Sequence, residues 1–233
     1  MALRNQLPVT TFSLVACDPK TGDLGVAVAS KFLAVGAVVP WAHAGVGAVA
    51  AQAWANTSYG PNGLDLLADG KSPKEALDAL IRDDAQADQR QAGIVDARGY
   101  SATWTGTGCH SWAGGVAGPN FAAQGNILVG EATITALANT FQHTTGSLWR
   151  RMVAALESGQ QAGGDSRGQQ SAALLVVRKN GGYGGYNDRM IDLRVDDAAQ
   201  PIAELSRLLD IYELLFLKPL PEDMLPIDDG LAS

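Results

Sequence analysis

Residues 11–30 read Thr11-Phe12-Ser13-Leu14-Val15-Ala16-Cys17-Asp18-Pro19-Lys20-Thr21-Gly22-Asp23-Leu24-Gly25-Val26-Ala27-Val28-Ala29-Ser30. The first seven alternate and include the β-branched and aromatic residues Thr11, Phe12 and Val15, so they predict a strand. Asp18 to Asp23 combines Asp, Pro and Gly, which favour a tight reversal, and 24–30 is the return strand. Residues 35–41 and 45–52 repeat the pattern, with small residues on alternate positions that let a second layer approach. The opening quarter therefore predicts a β-meander.

Helices follow. A short one is expected over 63–69, and Ser72-Pro73-Lys74-Glu75 is a capping box with Pro at the first helical position. It starts a helix whose apolar face is Ala76, Leu77, Leu80 and Ile81. Strands are predicted at 93–96, 100–105 and 121–128, then helices at 131–142 and 148–161. Strands at 171–178 and 190–195 flank a glycine-rich connection containing Asn180-Gly181. The closing helix, 201–217, carries Ile202, Leu205, Leu208, Leu209, Tyr212, Leu215 and Phe216 on one stripe, a spacing that predicts packing on a sheet, with a homodimer contact as the secondary reading. This order predicts an α/β (α+β) chain: a four-layer αββα sandwich of two mainly antiparallel sheets. A doubly wound sheet fits worse because hairpins are too frequent. One domain, 11–217, is expected between a prefix, 1–10, and an extended tail, 218–233, which holds three prolines.

Of the 233 residues, 46% are hydrophobic and 18% charged, a composition that folds rather than stays disordered. A formal charge of −7, with no basic run, argues against nucleic acid or anionic membrane as a partner. No stretch is long and apolar enough for a membrane span or a signal-peptide core, so a cytoplasmic location is expected. Cys17 and Cys109 are too few for a disulfide framework.

Several motifs fail on spacing. Gly63 and Gly70-Lys71-Ser72 are separated by six residues where a phosphate loop needs four, and Gly106-x-Gly108 lacks a third glycine. His43, His110 and His143 lack metal-ligand spacing, and Cys109 and His110 are adjacent, a poor geometry for a dyad. No metal or cofactor is expected. Asp188, Asp192, Asp196 and Asp197 are interleaved with Arg189 and Arg194, which reads as surface ion pairing. The glycine-dense polar segments 52–60, 124–126 and 163–171 combine amide, carboxylate and guanidinium groups at strand ends, where a pocket forms readily.

Thr11 to Ala16, Gly25 to Phe32, Gln52-Ala53-Trp54-Ala55-Asn56, Tyr59-Gly60, Ala123 to Leu128 and Gly163 to Leu175 together resemble the bacterial family called domain of unknown function 1028. That family is placed with the N-terminal-nucleophile (Ntn) hydrolases, whose αββα sandwich agrees with the element order. In that superfamily a Thr, Ser or Cys beginning the first strand attacks an amide carbonyl, with its own α-amino group as base. The resemblance makes Thr11 the candidate nucleophile, with Thr10 a close rival and Ser13 and Cys17 further along the strand. Because ten residues precede Thr11, the mechanism requires cleavage between Thr10 and Thr11. By the same analogy Lys31 and Asp165 join the catalytic group, and Gln52, Asn56, Gln124, Asn126, Arg167 and Ser171 bind substrate or stabilise the oxyanion. Residues 35–42 hold no lysine, so close copying of the proteasome mechanism is excluded.

Three functions compete. One is hydrolysis of a linear amide in a small metabolite or short peptide through an acyl-enzyme at Thr11. The second is a ligand-binding or assembly protein on the same fold without chemistry. The third is an enzyme using non-terminal acid and base groups such as Asp165.

Overall fold

The structure is a computed structural model that describes residues 8–217. Two antiparallel sheets form its middle. The six-stranded sheet takes β1 (Thr11–Asp18), β2 (Asp23–Ser30), β7 (Gly114–Gly118), β8 (Phe121–Gly125), β9 (Ser171–Val177) and β10 (Arg189–Val195), in the order β10-β9-β2-β1-β8-β7. The four-stranded sheet runs β3 (Pro40–His43), β4 (Gly47–Ala53), β5 (Arg90–Asp96) and β6 (Ser101–Thr105). Helices α1 (Tyr59–Ala68) and α2 (Pro73–Arg82) cover the outside of the smaller sheet, and α3 (Ala132–His143), α4 (Leu148–Gln161) and α5 (Pro201–Tyr212) cover the outside of the larger one. The expected mixed sandwich of two antiparallel sheets is present.

Strand alternation sorts the core into three layers. In β1, Phe12, Leu14 and Ala16 pack outward with Leu137, Met152 and Leu156 of α3 and α4. Val15 and Cys17 point inward with Val26 and Val28 of β2 and Ala48 and Ala50 of β4. Val49 and Ala51 then face Leu67, Leu77 and Leu80 of α1 and α2. The capping box forms as read: Ser72 Oγ accepts from Glu75 N at 3.3 Å and Glu75 Oε2 accepts from Ser72 N at 2.8 Å.

The sequence reading differs from the structure in several places. The opening quarter is not one meander: β1 and β2 pair in the larger sheet, β3 and β4 in the smaller. The strand expected over 35–41 is a 3-10 turn, Val35–Ala37, leading into the short β3. Ala34 at φ 54° turns the chain, and a Cβ at Gly36 would lie 2.6 Å from Ala173 Cβ, so a glycine there lets the crossover lie flat on β9. β7, Gly-Gly-Val-Ala-Gly, was not anticipated, because glycine carries little strand propensity. β8 stops at Gly125 rather than 128, where Ile127 adopts φ 52°. The closing helix is α-helical to Tyr212 and widens to a π turn over Glu213–Leu217. Ile202, Leu205 and Leu209 are buried as expected, while Leu214, Leu215 and Phe216 are exposed. The expected tail, 218–233, and residues 1–7 of the prefix lie outside the described residues.

Candidate active site at the start of β1

Register builds the site. Thr11 pairs with Ser30 at the end of β2, and both face the space between the sheets. Thr11 Oγ1, with its one proton, lies within donating reach of Val9 O at 3.0 Å and of Ser30 Oγ at 3.3 Å. Ser30 Oγ in turn donates to the carbonyl oxygen of Thr10. Val9 leaves the six-stranded sheet and bridges to β4, with Val9 N on Ala53 O at 2.6 Å and Ala53 N on Val9 O at 2.9 Å. The Thr10–Thr11 peptide is thus clamped between the two sheets, and Thr11 is fully buried.

The loop from α4 to β9 brings the charges. Gly163, Gly164 and Gly168 all adopt positive φ, which folds the loop back so that Asp165 bridges to Leu128. Asp165, buried, takes a two-pronged ion pair from Arg167, Nη2 to Oδ2 at 2.7 Å and Nε to Oδ1 at 3.1 Å. Its Oδ2 also accepts from Lys31 N at 3.2 Å and Thr10 Oγ1 at 3.4 Å. Arg167 Nη2 reaches the Thr10 carbonyl oxygen at 3.5 Å. Two donors therefore converge on the carbonyl that precedes Thr11, the arrangement that stabilises a developing oxyanion.

Beside this cluster lies a cavity of about 700 Å³, whose walls include Val9, Phe32, Val38 and Trp54 with Lys31 and Arg167. The Lys31 ammonium is exposed and donates to Gln169 O at 3.2 Å, so it sits at the cavity rim and not against Thr11. Ser171 works from behind: its hydroxyl donates to Phe32 O and accepts from Val35 N at 3.1 Å, fixing the segment that carries the Phe32 wall.

The glutamines go elsewhere. Ser13 and Gln124 pair across β1 and β8, Gln52 and Gln91 across β4 and β5, and the two pairs meet between the sheets. Ser13 Oγ donates to Gln52 Oε1 and accepts from Gln124 Nε2, both at 2.6 Å. Gln52 Nε2 donates to Gln91 Oε1 at 2.8 Å, and Asn126 Nδ2 donates to the same oxygen at 2.8 Å. Gln91 Nε2 donates to Gly125 O at 2.7 Å. This buried network leaves Gln52 and Gln124 no spare hydrogen-bonding group for a ligand, although Gln52 Nε2 reaches Thr11 O at 3.4 Å and so braces the start of β1. Asn56 binds Asp84 Oδ2 at 3.0 Å near α2, away from Thr11. Thus Thr11, Asp165 and Arg167 come together with the backbone of Lys31, whereas Gln52, Gln124 and Asn126 form the intersheet network and Ser171 and Asn56 support neighbouring segments.

Ser30, Gln91 and Trp54 were missed as site residues. For Ser30 and Gln91 the only signal is strand register, which places them opposite Thr11 and Gln52. Cys17 lies deep between the sheets, where burial, aided by the carboxylates of Asp18, Asp96 and Asp23, pushes its thiol up to about 12, so it is no nucleophile at neutral pH. The Cys109 thiol is likewise raised by burial. Among the described residues no cluster of His, Cys, Asp and Glu comes together that would hold a metal ion, and no helix is long and apolar enough to cross a membrane. Arg189 and Arg194 both pair with Asp192, at 2.9 and 2.8 Å, as surface ion pairs.

The model of a family of unknown function, DUF1028, matches residues 11–205. The crystal structure of protein SPO2555 from Silicibacter pomeroyi, described under the same family, is similar at a TM-score of 0.80 with 30% identity, covering 88% of this chain and 89% of that one. No curated protein matches the sequence.

Proposed function

The chain belongs to DUF1028, a family of unknown function, and from the resemblance to N-terminal-nucleophile hydrolases together with the geometry around Thr11 we propose that it is a self-processing amide hydrolase of that type, with Thr11 as nucleophile. The observation that carries the reading is the Thr10 carbonyl oxygen held by Ser30 Oγ and Arg167 Nη2 beside the Thr11 hydroxyl. In the first step Thr11 Oγ1 attacks the Thr10 carbonyl carbon. Its proton passes to Ser30 Oγ, whose own proton moves to the developing oxyanion. Collapse breaks the bond to Thr11 N, which takes that proton, and leaves an ester between the Thr10 acyl group and Thr11 Oγ1. Water hydrolyses the ester, releasing residues 1–10 with a C-terminal carboxylate and restoring the Thr11 hydroxyl; the Thr11 amine freed in the preceding step is then the base for attack on a substrate amide. Departure of Val9 also opens the cavity toward Thr11.

The substrate on this reading is a small molecule or short peptide bearing a linear amide, and no cofactor is required. The two free thiols suit a reducing, cytoplasmic setting. Leu214, Leu215 and Phe216, exposed at the end of α5, support a homodimer as a secondary reading.

The test is the intact mass of purified wild type and Thr11→Ala. Wild type is expected to lack residues 1–10 and the variant to keep them. A full-length wild-type chain overturns the hydrolase reading and favours a binding protein, which the complete burial of Thr11 under Val9 would then explain.

A further inference from the structure

The cavity beside Thr11 has a chemical bias beyond its position. Its apolar wall is built by Phe32, Val38 and Trp54. Among the described residues its charged lining groups are Lys31 and Arg167, both cationic, in a chain whose formal charge is −7. Among the described residues Lys31 makes no ion pair, since its ammonium rests on the Gln169 carbonyl. Arg167 spends Nε and Nη2 on Asp165 and Thr10, while no described residue accepts from Nη1, and the side chain is 37% exposed. One guanidinium thus turns Nη2 to the carbonyl at the reaction centre and leaves Nη1 open.

We infer that this cavity selects an N-acyl amino acid, holding its α-carboxylate between Lys31 Nζ and Arg167 Nη1 and its apolar acyl or side-chain group against Phe32, Val38 and Trp54. Arg167 sets the spacing. A carboxylate on Nη1 lies one guanidinium width from the group on Nη2, so the anion is attached within a few bonds of the amide, as in an N-acyl amino acid and not in a long diacid. Lys31 is the specificity residue: it is a point charge at the rim that favours any nearby carboxylate, and its effect is screened by salt. This inference deepens the hydrolase reading and rests on it for the identity of the bond cleaved, but anion selection is measurable without turnover.

The experiment is calorimetric titration of full-length Thr11→Ala with N-benzoylglycine and with its uncharged counterpart N-benzoylglycinamide, at low and high NaCl. The carboxylate is expected to bind about ten-fold more tightly than the amide at low salt, and Lys31→Met is expected to remove about five-fold of that preference. High salt should narrow the gap in Thr11→Ala and change it little once Lys31 is also replaced. Equal binding of the two probes, or a preference untouched by Lys31→Met and by salt, overturns the inference. A wild-type chain that stays full length yet prefers the carboxylate sinks the hydrolase reading and supports the anion site. A chain that processes itself but is indifferent to the carboxylate sinks the anion site alone.

Discussion

Asp165→Asn isolates what holds the site together, because the change removes a charge while keeping the shape. Asp165 accepts from Arg167 N at 2.9 Å and Nε at 3.1 Å on Oδ1, and from Arg167 Nη2 at 2.7 Å, Lys31 N at 3.2 Å and Thr10 Oγ1 at 3.4 Å on Oδ2. Every partner is a donor, so an amide must turn its NH₂ group toward donors whichever way it is placed. Charge-assisted bonds of this kind contribute roughly 1.5–3 kcal/mol each, but Arg167 is 37% exposed and water replaces part of what it loses. The net cost is about 2–4 kcal/mol, which in a domain of this size lowers Tm by roughly 5–15 °C. Thermal unfolding followed by circular dichroism reads the stability. Intact mass over time reads the cleavage at Thr10–Thr11, expected to slow by about ten-fold or more once Arg167 is no longer held at the Thr10 carbonyl. A variant that melts within about 2 °C of wild type and is cleaved at the wild-type rate would refute the claim that this ion pair positions the site.

Gly93→Ala should be far more costly than an alanine in a strand ordinarily is, because its Cβ would fall 2.6 Å from Gln124 Cδ and expel the carboxamide from the Ser13 pairing; a loss of about 3–5 kcal/mol in urea unfolding is expected. Burial alone would raise the Asp84 carboxyl, but hydrogen bonds from Arg90, Asn56 and Gln86 N outweigh it and bring it from 3.8 down to about 2. A folded-state value below the unfolded one contributes stability above pH 4 that is lost as pH falls from about 4 to 2. It amounts to about 2 kcal/mol, so melts of wild type should fall over that window and those of Asp84→Asn should fall less. Cys17 should resist iodoacetamide at pH 8 until the protein is unfolded, and rapid native labelling there would contradict its burial between the sheets.

Local chemistry in the sequence determined the elements that depend on near neighbours. The turn at Asp18 to Gly22 places β1 against β2, the capping box starts α2, and the Ile202, Leu205 and Leu209 stripe predicts the helix that packs on β9 and β10. Around Thr11 the residues themselves point only to a polar, glycine-dense segment at 163–171; Thr11, Asp165 and Arg167 are singled out by the family resemblance. What was not legible depends on which strands share a sheet. Nothing local says that β1 and β2 part from β3 and β4, that Val9 crosses to Ala53, or that the Ser13–Gln124 and Gln52–Gln91 pairs meet face to face. Gln52 and Gln124 looked like ligand-binding amides because the same side chain reads alike in a cavity and in a saturated network. Only the tertiary structure distinguishes them, since burial makes each buried amide find internal partners, and those partners lie as many as 111 residues apart in the chain.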